Sequence, residues 1–256
     1  MLKITFLGTG TSQGIPIIGS EHPVCLSDDP RDKRLRVSVL LEWARQYYVI
    51  DCGPDFRQQL LSNPIPRLDA LLFTHEHADH TAGLDDIRPF CFRQGAMSLY
   101  ADLRVQMALK QRFAYIFETE NKYPGAPNVV LNTVDKTTGF ELGGKTVTPI
   151  EVMHNQWPVL GYRVDDFAYL TDVKTIAPKE REKLKGLDVL VLNALRIDPH
   201  PMHLNLEEAL QLVAEIQPKR AYFTHISHLL GFHESISEQL PRNVFLAYDN
   251  LQIESE

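Results

Sequence analysis

Cysteine is scarce: Cys25, Cys52 and Cys91 are the only three among 256 residues. They are too few and too scattered for a disulfide framework, so the apolar core must hold the fold. No run of about 18 apolar residues is present, which excludes a helical membrane span. The opening MLKITFLGTGTSQG has neither the basic region nor the apolar stretch of a secretory signal, so the expected location is cytoplasmic, with no membrane partner. Positive charge is also short. With 26 Lys and Arg against 33 Asp and Glu, the formal charge is -7, so a long nucleic acid would need a local basic patch. Internal repeats, low-complexity tracts and long linkers are lacking. The glycine-rich opening from Phe6 to Pro16 matches neither GxGxxG nor a phosphate loop ending in GKS/T.

What is present describes an ordinary globular chain. A hydrophobic content of 44% is ordinary for such a protein, and one domain over 1–256 is expected. Short β-rich runs bounded by turn formers predict strands near 3–7, 37–41, 47–50, 69–73, 97–101, 129–134, 146–152, 161–171, 188–193, 220–224 and 244–248. Helical spacing suits 54–62, 103–117, 178–185 and 205–216, so the class is mixed α/β. Asn205 can cap the last helix with Glu208 three residues on, and Pro218 favours an end near Ile216. Residues 102–128 form the best candidate for an insertion, either a helical lid or a packed surface helix.

Histidine carries the chemical signal, with ten in the chain. Directly after the apolar run Leu71-Leu72-Phe73 comes Thr74-His75-Glu76-His77-Ala78-Asp79-His80, three imidazoles and the Asp79 carboxylate within six residues, with Glu76 between the first two and expected to point away or support them. His75 and His77 can face one ion across an extended turn while Asp79 and His80 turn toward a second. Nitrogen and oxygen donors of this kind suit zinc or manganese. Further apolar runs end in His154, Asp172 and His225, and a shared sheet edge would bring these donors together. Any one histidine would ordinarily be packed or exposed without metal; seven similarly placed donors argue for a centre.

These residues resemble the HxHxDH signature of the metallo-β-lactamase superfamily, matched by His75, His77, Asp79 and His80. The resemblance implies a four-layer αββα sandwich. In it His75, His77 and His154 bind one ion, Asp79, His80 and His225 bind the other, and Asp172 bridges both. An aspartate at 172 resembles the family's phosphodiesterases and thioester hydrolases rather than its β-lactamases, which carry a second-site cysteine.

The Phe6–Pro16 opening, together with the segments Pro201-Met202-His203-Leu204-Asn205 and Thr224-His225-Ile226-Ser227-His228, looks like the branch of phosphoribosyl cyclic phosphate phosphodiesterases. It is more distantly similar to transfer RNA 3'-processing endonucleases. The resemblance implies hydrolysis of a small or cyclic phosphodiester through a hydroxide shared by two divalent ions, zinc first and manganese second. Asp79 would ligate and orient that hydroxide, and His203 would contact phosphate or protonate the departing oxygen. Alternatives are transfer RNA processing, thioester or lactone hydrolysis, and a metal-binding scaffold without activity. Related phosphodiesterases also carry a structural zinc near the N-terminus. The matching stretch here offers His22, Cys25 and the distant His228, with Ser20 where another cysteine would stand. Either another donor completes a third metal site or His22 packs against His228. A homodimer is left open.

Overall fold

The structure is a computed structural model that describes residues 1–255. In chain order the strands are β1 (Leu2–Gly8), β2 (Ser38–Trp43), β3 (Gln46–Ile50), β4 (Ala70–Leu72), β5 (Met97–Ala101), β6 (Val129–Thr133), β7 (Phe140–Leu142), β8 (Lys145–His154), β9 (Trp157–Val164), β10 (Phe167–Tyr169), β11 (Val189–Asn193), β12 (Arg220–Thr224), β13 (Val244–Leu246) and β14 (Gln252–Ser255). The helices are α1 (Pro23–Leu26), α2 (Phe56–Ser62), α3 (Ala78–Thr81), α4 (Arg88–Gln94), α5 (Leu103–Arg112), α6 (Ala114–Phe117), α7 (Pro178–Arg181), α8 (Leu206–Ile216) and α9 (His233–Ser237). Two seven-stranded sheets form, ordered β14-β1-β2-β3-β4-β5-β6 and β13-β12-β11-β10-β9-β8-β7.

Side chains alternate across each strand, and here both faces are covered. In β11, Val189 and Val191 pack between the sheets with Tyr162, Phe167 and Tyr169. Leu190 and Leu192 point the other way, against Ala209, Leu212 and Val213 of α8. In the first sheet Tyr48, Ile50 and Leu72 face inward, while Val49 and Leu71 meet Phe56, Val105 and Leu109 from α2 and α5. The layers are therefore helix, sheet, sheet, helix, an αββα sandwich. Double-sided burial is why the central strands read as unbroken apolar runs.

Direction matters for the site. β3, β4, β5 and β6 run parallel, as do β10, β11, β12 and β13. β8 runs antiparallel to β9, which runs antiparallel to β10, so β8 points the same way as β10. Chain segments leaving β3, β4, β8, β10 and β12 thus emerge along one rim, the position where parallel sheets present ligands. β1 runs the same way as β3 through antiparallel β2, which brings the glycine-rich opening to that rim. There Thr11 N–H donates to Ile226 O at 3.0 Å and Ile226 N–H to Thr9 O at 2.9 Å.

Two expected elements differ. The run 161–171 divides between β9 and β10, paired antiparallel around a turn at Asp165, whose φ of 49° is left-handed. The helix expected over 103–117 stops at Arg112, where Phe113 takes φ -119° and ψ 44°, and α6 resumes beyond it. β7 and β14, three and four residues long, were not foreseen.

Candidate metal centre

Each donor segment begins where a buried strand stops. Threonine precedes three of the donors, as Thr74-His75, Thr171-Asp172 and Thr224-His225, and all three threonines are fully buried. The chain then turns sharply. Asp51, Asp172 and His225 adopt left-handed φ values of 63°, 57° and 54°, a region where Asp and His are among the few side chains found readily. Gly53 admits a close approach: a Cβ there would collide with the Asp79 carbonyl oxygen. The Asp51 turn is accordingly stapled to α3, with Cys52 N–H donating to His80 O at 2.9 Å and Gly83 N–H to Cys52 O at 2.8 Å.

Three donor groups converge among the described residues: His75, His80 and Asp172; Asp79, His80 and His225; and His154, Asp172 and His203. They overlap through Asp172 and His80, so the structure holds one continuous cluster with room for adjacent cations. His80 Nε2 lies 3.2 Å from both Asp79 Oδ2 and Asp172 Oδ2. His225 Nε2 lies 3.3 Å from Asp172 Oδ1 and 3.8 Å from Asp79 Oδ2. His77 enters through its Nδ1, which is 2.9 Å from His75 Nε2, and its ring stands 5.6 Å from that of His154. Six of the seven residues named from the sequence fall in these groups; His77, exposed, is hydrogen-bonded to them only through His75.

The imidazoles are oriented from behind. His80 Nδ1 donates to Asp51 Oδ2 at 2.7 Å, and His154 Nδ1 donates to Met202 O at 2.9 Å. His75 Nδ1 meets Thr74 Oγ1 at 3.0 Å, and that hydroxyl donates to Asp51 Oδ2 at 2.7 Å. Tying Nδ1 leaves each Nε2 facing the cluster, the arrangement that fixes a metal-binding tautomer. Asp51, fully buried, thus holds His80 directly and His75 through Thr74, and was not picked out from sequence. Its signal was the same as theirs: an apolar run, Tyr47-Tyr48-Val49-Ile50, ending in an acid.

Electrostatics favour cations here. Burial opposes ionisation of Asp79 and Asp172, but the neighbouring His80 and His225 override it and hold both carboxyls well below their usual range. Burial likewise opposes charge on His80, yet Asp79, Asp172 and Asp51 push its value well up. His75 is driven well down, by burial first and by His80 next. His80 Nε2 and both ring nitrogens of His225 are buried without a hydrogen-bond partner. Buried donors left unpartnered toward two carboxylates fit divalent cations, which would satisfy nitrogen and oxygen together.

His203 borders the cluster, its Nδ1 3.7 Å from Asp172 Oδ1 and its ring 4.4 Å from that of His154. Burial, then His225, lowers its value to about 3. His200, unremarked in the sequence, extends this line: its ring is 5.1 Å from that of His203, and its Nδ1 accepts from Met202 N–H. Glu76 turns away from the donors to Arg104. Away from this cluster, the His22 and His228 rings meet edge to face at 4.8 Å, while Cys25 is buried in the apolar core. The donor groups that converge among the described residues do not include these three.

A two-sheet sandwich with a His/Asp cluster of this kind on its rim is the architecture of the metallo-β-lactamase fold. Residues 46–226 match the Beta-lactamase superfamily domain. The chain belongs to the metallo-β-lactamase superfamily. It is similar to a crystal structure described as a new diphosphatase from the PhnP family, with 40% identity, a TM-score of 0.93, and coverage of 100% of this chain and 98% of that one. Among curated proteins it is 40% identical to the Octanoyltransferase of Porphyromonas gingivalis, over 98% of this chain and 51% of that protein. It is 26% identical to the Ribonuclease Z of Bacillus licheniformis, over 80% of this chain and 58% of that protein. The chain spans about half the length of these curated relatives. No helix among the described residues is long and apolar enough to cross a membrane.

Proposed function

We propose that this chain hydrolyses a small or cyclic phosphodiester. The observation that carries the reading is the buried carboxylate of Asp172, shared between a group with His75 and His80 and a group with His154 and His203. We assign His75, His77 and His154 to one ion, Asp79, His80 and His225 to the other, and Asp172 to both, with zinc the first choice and manganese the second. When bound, such a pair of ions would lower the pKa of water and stabilise negative charge on phosphoryl oxygens. Asp79 would orient the attacking water by accepting a hydrogen bond from its O–H. His203, whose Nδ1 lies 3.7 Å from Asp172 Oδ1, supplies a hydrogen bond to a phosphoryl or leaving-group oxygen. No serine or cysteine nucleophile is needed.

A second reading, cleavage of a diphosphate linkage, is favoured by the structural relative described as a diphosphatase. Octanoyl transfer belongs to the name of a protein about twice as long, and the mixed histidine and aspartate donor set does not single out acyl chemistry. The His22, Cys25 and His228 cluster is proposed as a packing contact rather than a third metal site, because the thiol lies in the core. A product-resolved panel of cyclic phosphodiesters, linear phosphodiesters, diphosphates, precursor transfer RNA and thioesters tests the assignment, with bound metal counted in parallel. Turnover of thioesters without any phosphoryl cleavage would sink it. Three tightly bound ions per chain would overturn the packing reading.

A further inference from the structure

We propose that Arg104 and Arg112 of α5 are positioning residues that clamp the His75–His77 segment against the β8–β9 hairpin and thereby set the affinity of one cation position. The proposal rests on the assignment of His75, His77 and His154 to one ion. Glu76 stands between two of those histidines, and its Oε1 accepts from Arg104 Nη1 at 2.6 Å. The second amino group of the same guanidinium, Nη2, donates to Pro158 O. Pro158 pairs with Met153 across the hairpin, and Trp157 pairs with His154. One planar side chain therefore touches both segments that deliver the imidazoles.

Arg112, two turns along α5, adds a second hold. Its Nη1 donates to Glu76 O at 3.0 Å and to Thr81 Oγ1, and the Thr81 hydroxyl donates to His77 O at 2.9 Å. The base of the clamp is fixed. Val105 and Leu109 of α5 are buried in the first sheet's outer cluster, and Asp102 caps the helix by accepting from Val105 N–H at 2.8 Å. The 102–128 segment thus begins as a buttress. A guanidinium fork can reach a carboxylate and a carbonyl at once; an ammonium of similar length cannot hold both in plane. Groups that orient ligands in this way typically alter metal affinity about 10- to 100-fold.

The test is zinc titration of the purified full chain against a chromophoric chelator, with Arg104→Ala, Arg104→Lys, Glu76→Gln and the double variant R104A/E76Q. One of two ions should weaken about 10- to 100-fold in R104A while the other is unchanged. R104K should recover part of the loss, and the double variant should be no weaker than R104A. Hydrogen exchange on the metal-free chains supplies a readout independent of activity: amides of 75–81 and 157–159 should exchange faster in R104A, with α8 unaffected. Affinities for both ions unchanged from wild type in R104A, or parallel weakening of both together with a lowered melting midpoint, would overturn the clamp. Wild-type protein that binds fewer than two ions would instead overturn the ligand assignment beneath it.

Discussion

Asp249 holds the clearest titration outside the metal centre. Burial raises its carboxyl from the ordinary 3.8 to about 6, against donors from Leu35 N–H and Thr9 and the charge of Arg34. A carboxyl raised in the folded state is disfavoured there as an anion, so stability falls as pH climbs from 3.8 to about 6 and is level above that. The full effect is about 3 kcal/mol, reduced by the solvent that reaches this half-buried residue. The stability advantage of Asp249→Asn over wild type should therefore grow between pH 4 and pH 7 in denaturant titrations, whatever constant offset the amide brings; a pH-independent difference would show that Asp249 titrates normally. His203 belongs to the chemistry instead. With its value lowered to about 3, His203 acts as a neutral hydrogen-bond donor, so His203→Ala should keep its metal content and lose turnover about 10- to 100-fold, the worth of one hydrogen bond to a charged oxygen; unchanged kcat would remove its role. The seven donors were legible because chemically expensive residues closed apolar runs. Asp51 was not, since a lone acid before Cys52-Gly53-Pro54 reads equally well as an ordinary turn.

Among the elements, α8 was read most fully from sequence. Asn205 Oδ1 accepts from Glu208 N–H at 2.9 Å, Glu208 Oε2 accepts from Asn205 N–H at 3.0 Å, and Asn205 Nδ2 also tethers Ile197 O at 2.9 Å. Asn205→Ala should destabilise the fold by about 1 to 2 kcal/mol, and because His203 lies just ahead of the cap, kcat should drop more than the melting midpoint implies. A purely global loss, with activity of the folded fraction intact, would show that the cap does not position His203. The turn at Gly53 makes a sharper demand. Gly53→Ala forces a Cβ toward the Asp79 carbonyl oxygen, so metal affinity measured by chelator competition should fall. The division of 161–171 escaped sequence reading because the two-residue turn between β9 and β10 contains neither Gly nor Pro, only Asp165 and Asp166. The break at Phe113 likewise carries no helix-breaking residue.

For the whole molecule, the donor cluster spans both halves of the sandwich. His75, His77, Asp79 and His80 follow β4 of the first sheet, while His154, Asp172 and His225 belong to β8, β10 and β12 of the second. A cation held there binds only the assembled state, so metal at about 100 times its dissociation constant should add about 2.7 kcal/mol. Stripping with a chelator should lower the melting midpoint and re-addition should restore it; an unchanged midpoint would show that the cluster does not bind tightly in the folded chain. The architecture was legible through the HxHxDH run and the strand-end pattern, whereas β7 and β14 are too short to show a period and are fixed by their neighbours. The left-handed turns at Asp51, Asp172 and His225 also restrict which metal chemistries this scaffold can adopt. Backbone of that shape admits glycine, asparagine, aspartate and histidine far more readily than other side chains, and of these only aspartate and histidine are strong ligands for zinc or manganese. Exchanging Asp172 for cysteine would change the donor and strain the turn together, so converting this centre to thiolate ligation requires re-cutting the loop as well as replacing the residue.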